Sequence, residues 1–200
     1  MPSLVGSEMC IRDSYGDLSS YLNDSHRNGE AIKICRQRLD VIHRMSGMSG
    51  PPPGYIDQQY GYLYSKLAWY YQQEGETRKA AEACRNYLAT AFSSSQVGQV
   101  EIVPYLLHNH QYHEALQRLD NYAAIFQGAD TISYNYTTLL SHYAQAYRGL
   151  GNQQPANSYL QRIIHVNDHI YQREKASQAH EFAILYQTQE KDMQIRETQA

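Results

Sequence analysis

The sequence predicts an all-helical fold made of stacked helical hairpins, and three observations lead to that prediction. Apolar residues recur at helical spacing in several segments, as at Leu67, Ala68 and Tyr71. Glycines such as Gly75 and Gly151 stand where these segments end, a position that favours a left-handed backbone. Segments of similar pattern return along the 200-residue chain, which is the signature of a repeat architecture.

The composition is that of a folded protein and argues against several classes. Hydrophobic residues make up 42% of the chain and charged residues 18%, which is enough apolar material for a core. The formal net charge of -3 gives no reason to expect nucleic acid as a partner. The three cysteines form neither a disulfide framework nor a zinc pattern. No apolar run reaches the roughly 18 residues of a membrane-spanning helix.

Tyrosine is the unusual component, with 19 residues against 3 Phe and 1 Trp. A Tyr ring can pack inside a thin helical core while its hydroxyl stays at water. We therefore favour half-buried packing positions for most of these residues, with a tyrosine-rich binding wall as the alternative.

The clearest hairpin runs from Tyr64 to Leu88. The apolar positions of its first helix are Tyr64, Leu67, Ala68 and Tyr71, and those of its second helix are Ala80, Cys84, Tyr87 and Leu88. This segment resembles a tetratricopeptide repeat (TPR), a helical hairpin of about 34 residues. Ala68, Tyr71, Gly75 and Ala80 occupy the positions where that family has a small residue, Tyr, Gly and Ala.

Three other segments carry the same pattern. The stronger one runs from His142 to Ile163 and repeats the family positions with Ala144, Tyr147, Gly151 and Ala156. The weaker ones are centred on Ala31, with Leu18, Leu22, Cys35 and Leu39, and on Ala115, with Val103, Leu106, Leu119 and Tyr122. The resemblance implies a right-handed superhelical stack of about four TPR-like hairpins over residues 15–170, followed by a long C-terminal helix. Cys35 and Cys84 then share one repeat position, where we interpret them as small core residues.

The connections between hairpins are uneven. The equivalent alanines Ala31, Ala80, Ala115 and Ala156 lie 49, 35 and 41 residues apart, so two connections must be longer than the family's. Residues 45–54, which read MSGMSGPPPG, supply one of them as a loop rich in Gly, Ser and Pro. Pro104 lies inside the first helix of the third hairpin and should kink or restart that helix.

Both ends of the sequence depart from the repeat. Residues 5–14, VGSEMCIRDS, closely resemble the conceptual translation of a sequencing adapter, so we exclude residues 1–14 from the expected fold. Residues 171–200 are expected to form a helix that caps the last hairpin through an apolar stripe of Ala176, Ala179, Phe182, Ala183 and Tyr186. No stop signal ends this helix, and we therefore expect the chain to be a piece of a longer protein.

Histidines form the main groups with any metal-binding potential. His108, His110 and His113 form the densest group, for which a solvated helix-helix turn is favoured over a metal site. His165 and His169 are four residues apart, and a position near a helix C-terminus is favoured over shared metal ligation. No phosphate-binding loop, nucleophile elbow or HExxH motif occurs. We accordingly expect no enzymatic activity, no cofactor and no metal.

The TPR resemblance implies a concave groove lined by the first helices of the hairpins. The partner-binding residues expected on that basis are Tyr62, Lys66, Trp69, Gln73, His142 and Arg148. Trp69 lies one residue off the packing face, where an exposed Trp often dominates binding, although it could instead cover the next hairpin. The family's clamp for C-terminal carboxylates needs Lys and Asn where this sequence has Ser65 and Trp69, so an adaptor for chaperone tails is not expected.

The expected partner is therefore a protein or peptide. The first hypothesis is a sensory or scaffold module from a larger bacterial signal-transduction protein, similar to the N-terminal TPR regions of membrane-anchored sensor kinases and transcriptional regulators. Such a module would lie on the periplasmic side of the inner membrane, which it would reach only through parts outside this sequence. The alternative is a free-standing soluble adaptor, expected in the cytoplasm, that binds a peptide segment in its groove.

Overall fold

The computed structural model describes the backbone of residues 4–198 and the side chains of residues 10–189 and 191. Within these residues all regular structure is helical and no strand occurs, which confirms that the fold is all-helical. The helices are α1 (Leu4–Asp24), α2 (Asn28–Ser46), α3 (Tyr55–Gln73), α4 (Thr77–Leu88), α5 (Gly98–Glu101), α6 (Val103–His108), α7 (Tyr112–Ala123), α8 (Tyr134–Gly149) and α9 (Gln153–Thr198). Short 3₁₀ turns at Phe92–Ser94 and Ala124–Phe126 follow α4 and α7.

Helices that are neighbours in the chain pack against one another. Contacts join α1 to α2, α2 to α3 and α3 to α4, and the short helices α5 and α6 both pack between α3 and α7. Helix α8 then contacts α6, α7 and α9. One group of buried side chains extends through this series from Leu22 to Ala146, and Leu140, Val166 and Ile170 form a second, smaller group.

Four helix-helix turns share one backbone geometry. Each has a residue with positive φ, and these residues are His26 (58°), Gly75 (75°), His110 (59°) and Gly151 (78°). In every case the next backbone N–H donates to the carbonyl oxygen four residues before the positive-φ residue, at 2.8 to 2.9 Å. This is the hydrogen bond that closes a helix with a left-handed C-terminal residue.

An alanine follows each of these turns at the same distance. Ala31, Ala80, Ala115 and Ala156 each lie five residues beyond the positive-φ residue, and each has 0% exposure. The absence of a larger side chain lets the two helices of a hairpin approach closely. Cys35 is likewise fully buried, whereas Cys84 is half-buried.

Two leucines assigned to the hairpin cores are exposed instead. Leu88 is 46% exposed because it is the last residue of α4 and Tyr87 occupies the inward position beside it. Leu18 is 41% exposed because the buried face of α1 passes through Gly16, Ser19 and Leu22. The prediction was therefore wrong for Leu18 and Leu88, whereas the equally predicted Leu22 and Tyr87 are buried.

The predicted interruptions are confirmed. Helix α5 ends at Glu101 and α6 begins at Val103, with Pro104 in its first turn, where its missing N–H costs no helical hydrogen bond. The loop between α2 and α3 covers residues 47–54, two residues shorter than expected because α2 continues through Ser46.

Tyrosines mostly serve as packing residues between helices. Tyr87 is fully buried, and the ring of Tyr159 stacks on Tyr143 and Tyr147 with centroid separations of 4.8 and 5.8 Å. The Tyr143 hydroxyl donates to Asp120 at 2.6 Å, so its polar end reaches the surface side of the α7–α8 contact. This agrees with the favoured interpretation of the tyrosine content.

The segment that resembles an adapter sequence is helical from Leu4 onward. Within it Arg12 is 6% exposed and lies over the ring of Tyr55, 5.0 Å from its centroid. The Arg12 guanidinium pairs with Asp13, and the neighbouring Arg38 is 5% exposed. Arg12 Nη1 and Arg38 Nε have no hydrogen-bond partner within the described part of the chain. Burial lowers the pKa of Arg38, and the charge of Arg12 lowers it further. The origin of residues 5–14 stays a prediction.

Helix α9 is continuous across the boundary expected at residue 171. Ile170 is its last buried residue, and every described side chain from Tyr171 onward is exposed. Phe182 and Tyr186 are 72% and 68% exposed, so the expected capping contact is not made by any described residue. Helix α8 has only 16 residues and α9 has 46, so α8 is too short to pack against the last part of α9. Residues 199 and 200 lie outside the described range.

Over the residues described, none of the helices combines the length and apolarity needed to cross a membrane.

Candidate partner-binding cleft

A cleft of about 470 Å³ opens between α3, α6 and α8. Helix α3 contributes Trp69, and α8 contributes His142, Gln145 and Arg148. The remaining lining residues come from α6, the start of α7 and the end of α8, and they are Pro104, Leu107, His108, Tyr112 and Gly149. These helices are the first members of three successive hairpins. The TPR resemblance implied a groove lined by such first helices.

Trp69 forms one wall of the cleft. The neighbouring Ala68 is fully buried, so Trp69 lies to the side of the packing face and is half-buried. Its indole meets the ring of His108 edge to face, with centroids 5.7 Å apart and an interplanar angle of 74°. Trp69 thus covers part of the next hairpin and also presents ring surface to the cleft.

A close contact between Tyr112 and Gly149 shapes another part of the lining. The Tyr112 hydroxyl is held by His110, whose Nδ1 lies 2.6 Å away. A Cβ atom added to Gly149 would lie 2.1 Å from Tyr112 Cζ, far inside van der Waals contact. Only glycine at position 149 therefore allows the Tyr112 ring to occupy this place.

His142 is a half-buried, neutral residue of the cleft. Its Nδ1 atom is inaccessible to solvent and has no hydrogen-bond partner among the described residues, and burial lowers the pKa of His142 to about 4. An orphaned N–H donor is rarer in folded proteins than an orphaned acceptor, so we place the proton on Nε2. The ring then offers one N–H donor.

Arg148 supplies positive charge. Its side chain is exposed and forms no hydrogen bond or ion pair with a described residue. None of the described residues that line the cleft is Asp or Glu, although the chain as a whole carries a net charge of -3. The cleft therefore combines aromatic and aliphatic surface with an unpaired cation and a neutral donor, which suits an acidic or polar ligand with an apolar group.

The other predicted groove residues lie elsewhere and contact their own chain. Lys66 Nζ donates to Ser20 Oγ at 2.6 Å and to the carbonyl oxygen of Gly16 at 3.3 Å, which joins α3 to α1. Burial lowers the pKa of Lys66.

Tyr62 and Gln73 are also occupied within the chain. The Tyr62 ring lies 4.6 Å from that of Phe92, and Gln73 Oε1 accepts a 2.7 Å hydrogen bond from Asn23 Nδ2. Of the six residues predicted from the resemblance, the structure brings Trp69, His142 and Arg148 together around one cleft.

Sequence reasoning missed the contribution of the third hairpin to the cleft. Leu107 was not singled out, and Pro104 was noted only as a helix breaker. His108 was assigned to a solvated turn, and it does end α6, but its ring also contacts Trp69. The pairing of Tyr112 with Gly149 depends on the angle between α7 and α8, for which the sequence has no signal.

The histidine groups offer no metal centre among the described side chains. No cluster of three or more His, Cys, Asp or Glu residues there could hold a metal ion. The rings of His165 and His169 lie edge to face, 4.5 Å apart, on one helix. The expectation of a helix end at this point was wrong, because α9 continues to Thr198.

No protein-family model matches the sequence, and comparisons with curated proteins and with solved structures give no match either. The functional interpretation therefore depends on the geometry of this chain, and the TPR resemblance stays a prediction.

Proposed function

We propose that the chain is a protein-interaction module of the TPR kind, which holds a peptide segment of a partner in the cleft between Trp69, His142 and Arg148. The observation that carries this proposal is the position of the cleft. It opens between α3, α6 and α8, the first helices of three successive hairpins. A peptide lying along these helices would contact several hairpins at once.

A right-handed stack of TPR-like hairpins is part of the same proposal. Its support is the recurrence of one turn geometry at four places, each followed five residues later by a fully buried alanine. One hairpin cannot bury its own apolar face, so consecutive units of this kind stack and leave an extended concave surface.

The chemistry of the cleft favours a peptide with an apolar side chain next to an acidic one. The Trp69 ring and Leu107 offer surface for the apolar group. Arg148 and the Nε2–H of His142 can both donate to a carboxylate, and a charge-assisted hydrogen bond is stronger than a neutral one.

A sensory scaffold within a larger bacterial signal-transduction protein is the second candidate. It is favoured by α9, a continuous 46-residue helix that extends beyond the packed hairpins after Ile170. Sequencing the source locus tests this candidate. We expect an apolar run of about 20 residues downstream of Ala200. A natural stop codon directly after Ala200 would contradict it.

Selection from a random peptide library displayed on phage tests the principal proposal. The wild-type chain should enrich peptides that carry Asp or Glu beside an apolar residue. The Arg148→Ala variant should bind these peptides at least tenfold more weakly, which corresponds to about 1.4 kcal/mol. Arg78→Ala is the matched control, because Arg78 is also exposed but lies on α4, outside the cleft. Enrichment of no peptide by the wild-type chain, or equal loss in both variants, would contradict the proposal.

A further inference from the structure

Helix α9 carries a group of exposed apolar side chains that no described part of the chain covers. They are Ile164, Tyr171, Phe182, Leu185 and Tyr186, with exposures of 62%, 60%, 72%, 58% and 68%. We refer to these five residues as the α9 stripe. Single exposed apolar residues are ordinary, but several large ones along one face of a helix mark a candidate interaction surface, here interrupted by the exposed Lys175 and Gln178.

The five residues share one side of the helix. At 100° per residue they fall within a band about 100° wide along roughly 33 Å of α9. The side chains of α9 that pack on α8, such as Val166 and Ile170, are centred about 130° around the axis from that band. The stripe is therefore a second apolar face, separate from the one that holds α9 to the fold.

The end of α9 has no internal support from the described chain. Ile170 is the last buried residue, and the helix continues to Thr198. Helices in proteins draw most of their stability from the packing of an apolar face, which the described chain does not provide for α9 beyond Ile170.

We propose that the α9 stripe is covered by the α9 stripe of a second copy of this chain, with the two helices antiparallel. The two-fold axis passes between Gln178 and Ala179. In this register Tyr171 of one copy lies opposite Tyr186 of the other, and Lys175 lies opposite Phe182. A two-fold interface must be self-complementary, and this register satisfies that condition.

Charge favours the antiparallel arrangement. Lys175 is exposed and has no partner among the described residues of its own chain. In the antiparallel register its ammonium group faces the Phe182 ring of the other copy, a cation–π arrangement. A parallel pair would instead set Asp168 against Asp168 and Lys175 against Lys175, and like charges facing each other across a helix pair are destabilising.

The available area fits a dimer of modest affinity. Each stripe residue would lose on the order of 100 Å² of accessible surface, since large aromatic side chains bury about 150–250 Å² when fully covered. The two stripes together then bury about 1,000 Å², near the lower limit for a specific interface. We therefore expect an equilibrium between monomer and dimer that depends on concentration.

Sedimentation velocity of the full chain over a concentration series tests the dimer. The wild-type chain should shift from monomer to dimer as concentration rises, and Phe182→Ser should shift the midpoint at least tenfold upward. Ile184→Ser is the matched control, because Ile184 is 50% exposed on the same stretch of helix but lies outside the stripe. A wild-type chain that stays monomeric at high concentration, or equal effects of the two substitutions, would overturn the proposal. The proposal of a peptide-binding cleft is unaffected by either result, since the lining residues of the cleft lie on α3, α6, α7 and α8.

Disulfide trapping tests the orientation. In a chain with Cys10→Ser and Cys84→Ser, the antiparallel register predicts that Gln178→Cys forms an intermolecular disulfide. Gln189→Cys should not, because the two copies of residue 189 are then about 30 Å apart. A parallel pair would trap both variants, and that result, or the absence of any disulfide at residue 178, would contradict the proposed register.

Discussion

The substitution Gly75→Ala probes the turn geometry that the four hairpins share. Gly75 has φ of 75° between α3 and α4, and a Cβ atom added there would meet no atom within 4 Å. The substitution should therefore lower the unfolding free energy only because alanine is strained in a left-handed backbone, with no contribution from a steric clash.

The magnitude follows from two opposing effects. An alanine in the left-handed region costs about 1–2 kcal/mol. Alanine also restricts the unfolded chain, which returns about 0.4–1 kcal/mol. The net loss in unfolding free energy should be near 1 kcal/mol, or a fall in Tm of about 2–4 °C for a chain of this size. Gly151→Ala should behave alike, because Gly151 has the same geometry and equally open surroundings.

Gly29→Ala is the matched control. Gly29 lies in α2 without a positive φ, and a Cβ atom there would also meet nothing within 4 Å. Alanine in a helix is favoured over glycine by about 0.5–1 kcal/mol, so this variant should be more stable than the wild type. Thermal unfolding followed by circular dichroism gives both changes. If Gly75→Ala and Gly29→Ala shift Tm in the same direction, the left-handed backbone at Gly75 does not determine the effect of the substitution on stability.

Two further substitutions test buried charge. Burial lowers the pKa of His142 to about 4, against about 6.5 in the unfolded chain. The unfolded chain therefore binds a proton at this residue before the folded chain does. Its contribution to the unfolding free energy is fully present above pH 6.5 and is lost as the pH falls toward 4. Between pH 7 and pH 4 the wild type should lose on the order of 3 kcal/mol more than His142→Gln in urea unfolding, and parallel losses would refute this. Arg12→Leu should raise the unfolding free energy by about 1 kcal/mol, because it removes a buried guanidinium beside the like charge of Arg38. The only ion pair of Arg12 among the described residues is with Asp13, whose side chain is largely exposed. A lower stability in the same urea assay would mean that Arg12 is a favourable part of the core.

Hairpin positions with a strong local signal were predictable from the sequence. Gly75 marked its turn because glycine adopts a left-handed backbone without strain, and Pro104 marked the restart of a helix. His26 and His110 occupy the equivalent left-handed positions without any such signal. Their turns emerge only from the structure, since histidine adopts positive φ more often than most residues but far less readily than glycine, and so marks no turn by itself.

The candidate site was only partly predictable for a related reason. Trp69, His142 and Arg148 were implied by the TPR resemblance, which assigns groove positions to one side of each first helix. Whether that residue is free depends on the neighbouring helix, and Lys66 is held by α1 through Ser20. The stretch of α9 beyond Ile170 was expected to cap a hairpin, but it is exposed. The helical spacing of its apolar residues shows that they share a face, and it does not show what covers that face.

Fluorescence of Trp69 provides the most direct measurement of the central claim, that the cleft holds a peptide. Trp69 is the only tryptophan, so its emission reports on this cleft alone. Titration with a peptide enriched by the wild-type chain should produce a saturable shift in emission, which Arg148→Ala weakens at least tenfold and Arg78→Ala leaves unchanged. Binding detected by calorimetry without any change in Trp69 emission would place the partner elsewhere and contradict the account.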